Sequence, residues 1–286
     1  LITANEGDSR DWNGYSNEIE VNFGKGKTSP TGKITADNSG LTGKVTFFDT
    51  SDYDGLNNEN DYLFGGRSST IFKADEQSLQ EIYTTGNDFE VKTAAYLPNN
   101  FNCSNDDATI DDRSGKKGPE AEAVTIGQIE DKTFAFIGLE RIGGIMVYDI
   151  TNPEKTEFVN YINSRDFSTD IGGDDSPEGI HFIAGNDSIT GKPQLVVAYE
   201  VSGTVGVYDL TLQKNSDQSG DDKTDNPSQE PTVEETNNSS NTNTNNKNHS
   251  VNTGDASNIA ITIISLISTI VLITILMKKD KVLAED

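Results

Sequence analysis

Residues 134–151 read FAFIGLERIGGIMVYDIT, and residues 195–211 repeat the pattern as LVVAYEVSGTVGVYDLT. Each stretch is an apolar run, a glycine-bearing centre and a second run that ends in Val-Tyr-Asp. Aromatic and β-branched residues around such a turn predict a β-hairpin. Glu140 and Glu200 stand at the same place in the two copies, where the first strand ends. Two matching units of this size predict a repeated β-sheet architecture, of which a propeller is the commonest form.

Further copies of the unit extend this prediction toward the N-terminus. A shared element lies upstream of each hairpin, Pro119-Glu120 in one case and Pro177-Glu178 in the other. A divergent hairpin and a second strand-turn-strand pattern lie within the first 75 residues. We therefore predict an all-β fold over residues 1–212, an incomplete β-propeller-like repeat of about four blades. The equivalent turn positions would be Glu6, Arg67, Glu140 and Glu200.

The amino-acid composition argues against one class of binding partner. The formal net charge is −25, and phosphate backbones are bound by clustered Lys and Arg, so the composition argues against a nucleic-acid partner. Such acidity suits a secreted surface domain or one that collects cations. Cys103 is the only cysteine, so the chain has no internal disulfide.

The C-terminal part changes composition at Gln213. Residues 213–250 are almost entirely polar, and such a segment cannot bury enough surface to fold, which predicts a disordered spacer. Residues 251–286 have the composition of a surface anchor. Within them, residues 259–277 carry no charge and are long enough to span a bilayer core of about 30 Å as one transmembrane helix. Three lysines follow, which places the N-terminal body outside the cell.

The anchor allows two interpretations. Thr253-Gly254 stands ahead of the apolar run, as in a Gram-positive cell-wall sorting signal, where a sortase cuts between Thr and Gly and joins the Thr to peptidoglycan. The usual Leu-Pro is absent, and the tail is longer and more acidic than in typical signals. The alternative is a transmembrane helix that is retained. Both interpretations predict a protein displayed on the extracellular face, held by the cell wall or the membrane.

These motifs together resemble the choice-of-anchor I family. The matching stretches lie around residues 4–11, 64–68, 104–107, 111–114, 118–120, 138–145, 165–167, 177–179 and 202–205. Ala123 departs from the family pattern, where Gly is expected, and the acidic loop 49–61 is irregular. The resemblance implies a secreted bacterial protein with a propeller-like domain and an interchangeable C-terminal anchor. It implies no settled biochemical activity.

Two acidic loops are candidate calcium sites. Aligning Gly55 with the glycine of a calcium loop makes ligands of Asp52, Asp54 and Asp61, although Thr50 would be a poor first ligand. Oxygen-rich surroundings favour a hard cation such as Ca²⁺. A second cluster comprises Asp106, Asp107, Asp111 and Asp112, with Arg113 adjacent. In both loops the residues favour a solvated acidic turn over a calcium site.

The repeated glutamates form a third candidate site. In a propeller, residues that end the inner strands point to one mouth of the channel, where a polar ligand or metal could bind. Repetition in every unit favours the other interpretation, in which these carboxylates are structural ties that bond to backbone donors of the neighbouring blade. The candidate mouth residues are Glu6, Asp8, Arg10, Arg67, Glu120, Glu122, Glu140, Arg141, Glu178 and Glu200.

The sequence favours a binding module over an enzyme. It contains no nucleophile elbow, no phosphate loop and no Cys/His metal spacing. We expect a surface-anchored module that binds an extracellular ligand or another surface. The alternative is a calcium-dependent hydrolase of phosphate esters, since acidic propellers that hold calcium at the channel mouth are known for such work.

Overall fold

The structure is a computed structural model that describes residues 1–51, 53–214 and 259–265. The two repeated stretches form hairpins, as their pattern predicts. In the first, Ile145 lies opposite Gly138, and the turn between the strands contains Gly143 and Gly144 at φ values of 81° and 85°. Left-handed backbone of this kind is accessible to glycine at no steric cost, so the two glycines allow the tight connection.

The first sheet has three antiparallel strands, β1 (Ile2–Asn5), β6 (Ser68–Ala74) and β7 (Leu79–Thr84), in that spatial order. A long insertion separates β1 from β6. It contains two ribbons, made from β2 (Asp11–Trp12) with β3 (Tyr15–Ser16) and from β4 (Glu18–Asn22) with β5 (Lys44–Phe48). The insertion also holds a 3-10 helix (Phe23–Lys25) and the short helix α1 (Ala36–Ser39); helix α2 (Asp88–Tyr96) follows the sheet.

The second sheet is a four-stranded antiparallel meander. Its strands are β8 (Ala121–Ile129), β9 (Lys132–Leu139), β10 (Ile145–Asp149) and β11 (Glu157–Ile162), with a 3-10 helix (Pro153–Lys155) before the last. The third sheet repeats the order with β12 (Pro177–Ile183), β13 (Gln194–Tyr199), β14 (Thr204–Lys214) and β15 (Ile259–Ser265). The two sheets are therefore copies of one unit.

The sheets stack face to face with the second between the other two. On one side, Phe134, Phe136 and Val147 of the second sheet pack against Leu195 and Val197 of the third. The opposite face contributes Ala135, Ile137 and Tyr148 to a cluster that includes Ile2 and Ala4 of the first sheet and Phe89 of α2. Alternate side chains of β9 and β10 thus point to opposite faces of the second sheet, and both faces are buried.

The blade count from the sequence is wrong. Glu6 and Arg67 belong to one sheet, because β1 pairs directly with β6 across the insertion. The described residues thus form three stacked sheets and two ribbons, none of them closed into a ring. The insertion misled the sequence analysis, since it separates two neighbouring strands by about sixty residues.

The C-terminal region also differs from the prediction. Residues Ile259–Ser265, expected to begin a transmembrane helix, form β15 and pair antiparallel with β14. Five of these seven residues are Ile or Thr, which favour extended backbone. No helix within the described ranges is long and apolar enough to cross a membrane. The rest of the predicted helix, the Thr253-Gly254 motif and the spacer beyond Lys214 lie outside the described residues.

Candidate functional site

Three glutamates end equivalent strands in the three sheets. Glu6 follows β1, Glu140 follows β9 and Glu200 follows β13. The backbone N–H of Glu140 donates to the carbonyl of Glu120 at 2.8 Å, and that of Glu200 donates to the carbonyl of Ser176 at 2.8 Å. Because the two sheets make the same bond, Glu120 and Ser176 are structural equivalents.

This register corrects the upstream alignment. Ala121 lies opposite Leu139 and Pro177 lies opposite Tyr199, so these two pairs correspond. A β-bulge follows at Glu122 in one sheet and at Glu178 in the other. The true counterpart of Glu178 is therefore Glu122. The dipeptide Pro-Glu occurs in both segments but two residues out of register, which the sequence alone did not reveal.

An inner group of carboxylates lies at the centre of the site. Glu6, Glu120 and Glu140 each offer an oxygen, and these oxygens lie within 4.8 Å of one another. Within the described ranges, no other group of three His, Cys, Asp or Glu side chains meets this spacing. Glu120 is fully buried and Glu140 is 6% exposed, whereas Glu6 is half-buried.

Cationic side chains surround this inner group. The Nζ of Lys117 lies 2.8 Å from Glu6, 2.6 Å from Asp8 and 2.7 Å from Glu120. Arg113 pairs with the other Glu120 oxygen. These groups lower the pKa of Glu120 even though its burial acts in the opposite direction. The fully buried carboxylate is therefore ionised and compensated by protein groups.

Arg141 and Asn105 connect Glu120 to Glu140. The guanidinium of Arg141 lies 3.1 Å from Glu120 and 3.2 Å from Glu140. Asn105 donates to the Glu140 carboxylate at 2.9 Å and to the hydroxyl of Ser176 at 2.8 Å, and accepts from Arg141 at 2.8 Å. The amide thus links the second sheet to the start of the third.

A second, more accessible set of carboxyls adjoins this group. Burial and the carboxylates of Glu6, Glu178 and Glu120 raise the pKa of Glu122. Burial, with Glu120 and Glu122 nearby, raises the pKa of Glu140 to about 9, although Arg141 opposes this. Burial and Glu200 raise the pKa of Glu178. The pKa values of Glu122, Glu140 and Glu178 are therefore all raised by burial and by neighbouring carboxylates.

The backbone around the site has an unusual conformation. Glu120, Ser176, Arg67 and Asn102 have φ values of 55°, 62°, 52° and 45°, in the left-handed region that non-glycine residues rarely adopt. Such residues persist where the surrounding structure holds them, and they cluster at functional sites. Two of the four, Glu120 and Ser176, are the equivalent residues that precede β8 and β12.

Several predicted mouth residues lie elsewhere. Arg10 is exposed and its guanidinium lies 5.9 Å from the ring centroid of Tyr53. Arg67 pairs with Glu90 at 2.8 Å and donates to the carbonyls of Ser114 and Lys116. Both arginines therefore support local loops instead of the carboxylate ring, whereas Asp8 and Arg141 do join it.

Among the residues that the structure describes, the predicted calcium ligands do not come together at metal-ligand spacing. Both oxygens of Asp61 accept hydrogen bonds, from the hydroxyl of Ser29 and from the hydroxyl and N–H of Thr31. Asp54 is exposed, and Asp52 lies outside the described residues. Asp111 and Asp107 accept from Ser114 and from the N–H of Thr109. Asp106 and Asp112, like these four, belong to no three-residue group with ligand spacing among the described residues.

Sequence reasoning missed the cations that complete the site. Lys117 was overlooked although it lies three residues before Glu120, a spacing that brings the two side chains together here. Arg113 was assigned only to the neighbouring aspartates, and Asn105 was read only as part of a family motif. Their loop crosses from the first sheet to the second, so their convergence depends on tertiary structure that no local pattern encodes.

Stacked antiparallel meanders with glutamates gathered at one end define an all-β repeat protein. The model of the choice-of-anchor I domain matches residues 1–153, and the chain belongs to this family. This confirms the resemblance that its motifs predict. The type of C-terminal anchor is not covered by the matched residues.

Two curated proteins are similar to parts of the chain. Gigasin-3a from Magallana gigas is 29% identical over 168 residues, which cover 52% of this chain and 57% of that protein. The mesenchyme-specific cell surface glycoprotein from Strongylocentrotus purpuratus is 24% identical over 106 residues, covering 33% of this chain and 14% of that protein. No solved structure matches the chain.

Proposed function

We propose that the chain is an extracellular, surface-associated β-sheet module that binds a ligand, and that its sheets are part of a β-propeller. The family assignment and the cell-surface relative support the location. The repeated four-stranded units support the propeller, as does the position of β8, which lies against both β1 and β12. Neighbouring blades lie beside one another in the same way around a propeller axis.

The ligand face is the end of the sheets where Glu6, Glu122, Glu140, Glu178 and Glu200 converge. This convergence is the observation that carries the proposal. Lys117, Arg113 and Arg141 compensate the inner carboxylates, whereas Glu178 and Glu200 are exposed and have no cation paired to them in the described part of the chain. A ligand with ammonium or guanidinium groups would relieve this repulsion, so we propose a basic ligand or a basic surface.

Titration of the full chain with a tetralysine peptide tests this. We expect saturable binding that weakens as salt is added, because the contact is between exposed charges. The double variant Glu178→Gln/Glu200→Gln should weaken it several-fold. The double variant Glu154→Gln/Glu157→Gln removes the same charge from an exposed site outside the carboxylate face and should bind like the parent. Equal binding by both variants would contradict the proposal.

The second candidate is a calcium-dependent hydrolase of phosphate esters. The spacing of Glu6, Glu120 and Glu140 favours it, since three carboxylate oxygens within 4.8 Å could hold a hard cation. Lys117 supports the binding module instead, because its ammonium already lies among these carboxylates. A panel of phosphate esters with and without Ca²⁺ separates the two: turnover that requires calcium would favour the hydrolase.

We further propose that the C-terminal region attaches the module to the cell. Residues 259–277 would span the membrane, and Thr253-Gly254 would serve a sortase that joins the chain to peptidoglycan. Both would keep the N-terminal body on the extracellular face. Insertion of residues 259–277 as a helix would require β15 to leave β14, since a spanning helix satisfies its backbone groups within the segment.

A further inference from the structure

The insertion between β1 and β6, residues 7–66, is attached to the loop that supplies the cations of the carboxylate group. It has an apolar core of its own, which comprises Val21, Phe23, Val45 and Phe47. Asn5 at the end of β1 lies opposite Ser68 at the start of β6. The insertion therefore begins and ends beside Glu6, at the end of the sheets that carries the carboxylates.

Glycines allow the two ends of the insertion to meet. The N–H of Gly65 donates to the carbonyl of Gly7 at 3.0 Å. The N–H of Gly66 donates to the carbonyl of Glu6 at 3.1 Å. A Cβ on Gly65 would lie 2.7 Å from the Cα of Lys117, which is too close for any residue with a side chain. Glycine therefore lets the backbone of Lys117 pack directly on this junction.

Strand β5 of the insertion holds the same loop at a second place. The N–H of Thr46 donates to the carbonyl of Gly115 at 2.9 Å. A Cβ on Gly115 would lie 2.0 Å from the carbonyl oxygen of Lys44, so this contact also requires glycine. Residues 113–118, which we call the cation segment, are therefore attached to the insertion through Gly115 and through Lys117.

Arg67, which immediately follows the insertion, holds the cation segment from another side. Its Nη2 donates to the carbonyls of Ser114 and Lys116 at 2.9 and 2.6 Å, on either side of Gly115. Its Nη1 lies 2.8 Å from Glu90 of α2, which fixes the guanidinium. Because the guanidinium is planar and carries several donors, it holds both carbonyls in one orientation.

The cation segment brings Arg113 and Lys117 to the inner carboxylates. Lys117 is 9% exposed, and its Nζ lies 2.6–2.8 Å from Glu6, Asp8 and Glu120. Arg113 pairs with Glu120, which is fully buried. A buried ion pair is stable only when its geometry is well held, because each charge gives up its hydration. The attachments of the cation segment supply that geometry.

We propose that the insertion closes the inner carboxylates to added cations by positioning Lys117 and Arg113 among them. Thr46, Gly115 and Arg67 are positioning residues, since they act through the backbone of the cation segment. A ligand of the proposed face would then meet the more accessible carboxyls. The proposal concerns the ligand face proposed above, but it does not depend on the ligand being basic.

Substitution of Gly115 in the full chain tests the positioning. Gly115→Ala forces the cation segment away from Lys44, whereas Gly55→Ala is the matched control, because a Cβ on Gly55 would meet nothing within 4 Å. The readout is acylation by an amine-reactive ester, measured by peptide mass spectrometry with the exposed Lys155 as internal reference. We expect Lys117 to react several-fold faster in Gly115→Ala and at the parent's rate in Gly55→Ala.

Arg67→Lys tests the same attachment without a steric clash. It keeps a positive charge opposite Glu90 but loses the planar group that holds two carbonyls. Thermal melting of each variant shows that it is folded at the temperature of the acylation. We expect Lys117 to react several-fold faster in this variant too, because its segment is held by fewer bonds.

Calcium chloride is the second probe. Carboxylate oxygens within 4.8 Å of one another would accept Ca²⁺ once Lys117 leaves them. We expect calcium to raise the melting temperature of Gly115→Ala and Arg67→Lys, and to change that of the parent and of Gly55→Ala little.

Three results would overturn the proposal. The first is equal acylation of Lys117 in all four proteins, and the second is faster acylation without a response to calcium. The third is the same behaviour in Gly55→Ala as in Gly115→Ala, because the effect would then not depend on the attachment. Failure of tetralysine binding would contradict the proposed basic ligand and would leave both of these readouts unaffected.

Discussion

Glu122 and Glu140 are neighbours across the junction of β8 and β9, where burial and the side chain of Glu122 raise the pKa of Glu140. Two neighbouring carboxyls repel each other when both are ionised. Burial removes the water that would stabilise a second negative charge, so the pair holds a proton under conditions in which exposed glutamates are ionised. In the third sheet, burial and the neighbouring Glu200 likewise raise the pKa of Glu178.

The first prediction concerns pH. The pKa of Glu140 is raised to about 9 from an ordinary value of 4.5, so between these values the folded chain binds a proton that the unfolded chain releases. Stability from this group is therefore lost as pH rises through that window. We expect the free energy of unfolding in urea to fall between pH 5 and pH 9, and to fall less steeply in Glu140→Gln.

Glu154→Gln is the control for this experiment. It removes one charge at an exposed position. The free energy of unfolding of this variant should therefore change with pH as steeply as that of the parent. A Glu140→Gln variant with the parent's slope would contradict the pairing of Glu140 with Glu122. The low-pH limb, below about 4.5, belongs to other groups such as Glu120, whose pKa is lowered.

The second prediction concerns the buried pair of Arg165 and Asp175. The Nε of Arg165 lies 3.2 Å from Asp175, and its Nη1 donates to the carbonyls of Ser104 and Arg141 at 2.7 and 2.8 Å. Arg165→Met would leave the buried carboxylate of Asp175 unpaired and would remove the donor to the carbonyls of Ser104 and Arg141. We expect a loss of about 3–5 kcal/mol in the free energy of unfolding.

A double-mutant cycle separates charge from packing at this pair. Arg165→Met/Asp175→Asn should cost less than the sum of the two single changes, because it leaves no buried charge alone. Chemical unfolding of the four proteins measures the coupling. Strictly additive losses would show that Arg165 acts only through the carbonyls it reaches.

The sequence was informative where a local pattern repeats. The alternation in residues 134–151 and 195–211 specifies two hairpins, and the glutamate after each first strand is carried to one end of the sheets by strand direction. The four-blade count failed because strand pairing is non-local: β1 and β6 are neighbours with an insertion between them. No periodicity in the sequence indicates whether two successive strands belong to the same sheet.

The site could be predicted only in part for a related reason. Strand pairing makes Ala121 and Pro177 equivalent, so Glu122 and Glu178 correspond, although the Pro-Glu dipeptides lie two residues out of register. Lys117, Arg113 and Asn105 reach the carboxylates from a loop whose path depends on Arg67 and Asn102 at positive φ. Those contacts appear only once the sheets are stacked.

The third prediction concerns the proposed anchor. Changing Thr253 and Gly254 together to Ala should leave the protein in the membrane fraction and remove it from purified cell wall, because a sortase could no longer cleave the chain. Immunoblots of the two fractions measure this. The same exchange at Thr242 and Asn243 in the polar segment is a control that should leave the distribution unchanged. If the anchor variant and the parent are equally abundant in the cell wall, the sortase interpretation is wrong, and a retained transmembrane helix would be the anchor.

The last prediction separates a compensated carboxylate group from a metal site. Lys117 holds Glu6, Asp8 and Glu120 at 2.6–2.8 Å. Lys117→Ala would leave carboxylates within 4.8 Å of one another without their shared ammonium. We expect the calcium-free variant to lose about 3–5 kcal/mol of stability, the cost of a buried charge without its partner.

Calcium should then partly replace the lost cation. A concentration of one hundred times Kd would restore about 2.7 kcal/mol in Lys117→Ala, while the parent, whose ammonium already occupies the position, should show little change in melting temperature. Lys117→Arg keeps a cation and should respond as the parent does. If parent and Lys117→Ala respond to calcium equally, the ion binds elsewhere, and the acidic loops around Asp54 and Asp106 become the residues to change. If neither protein responds to calcium, Arg113 and Arg141 compensate the carboxylates well enough to prevent ion binding, and Lys117 contributes only to stability.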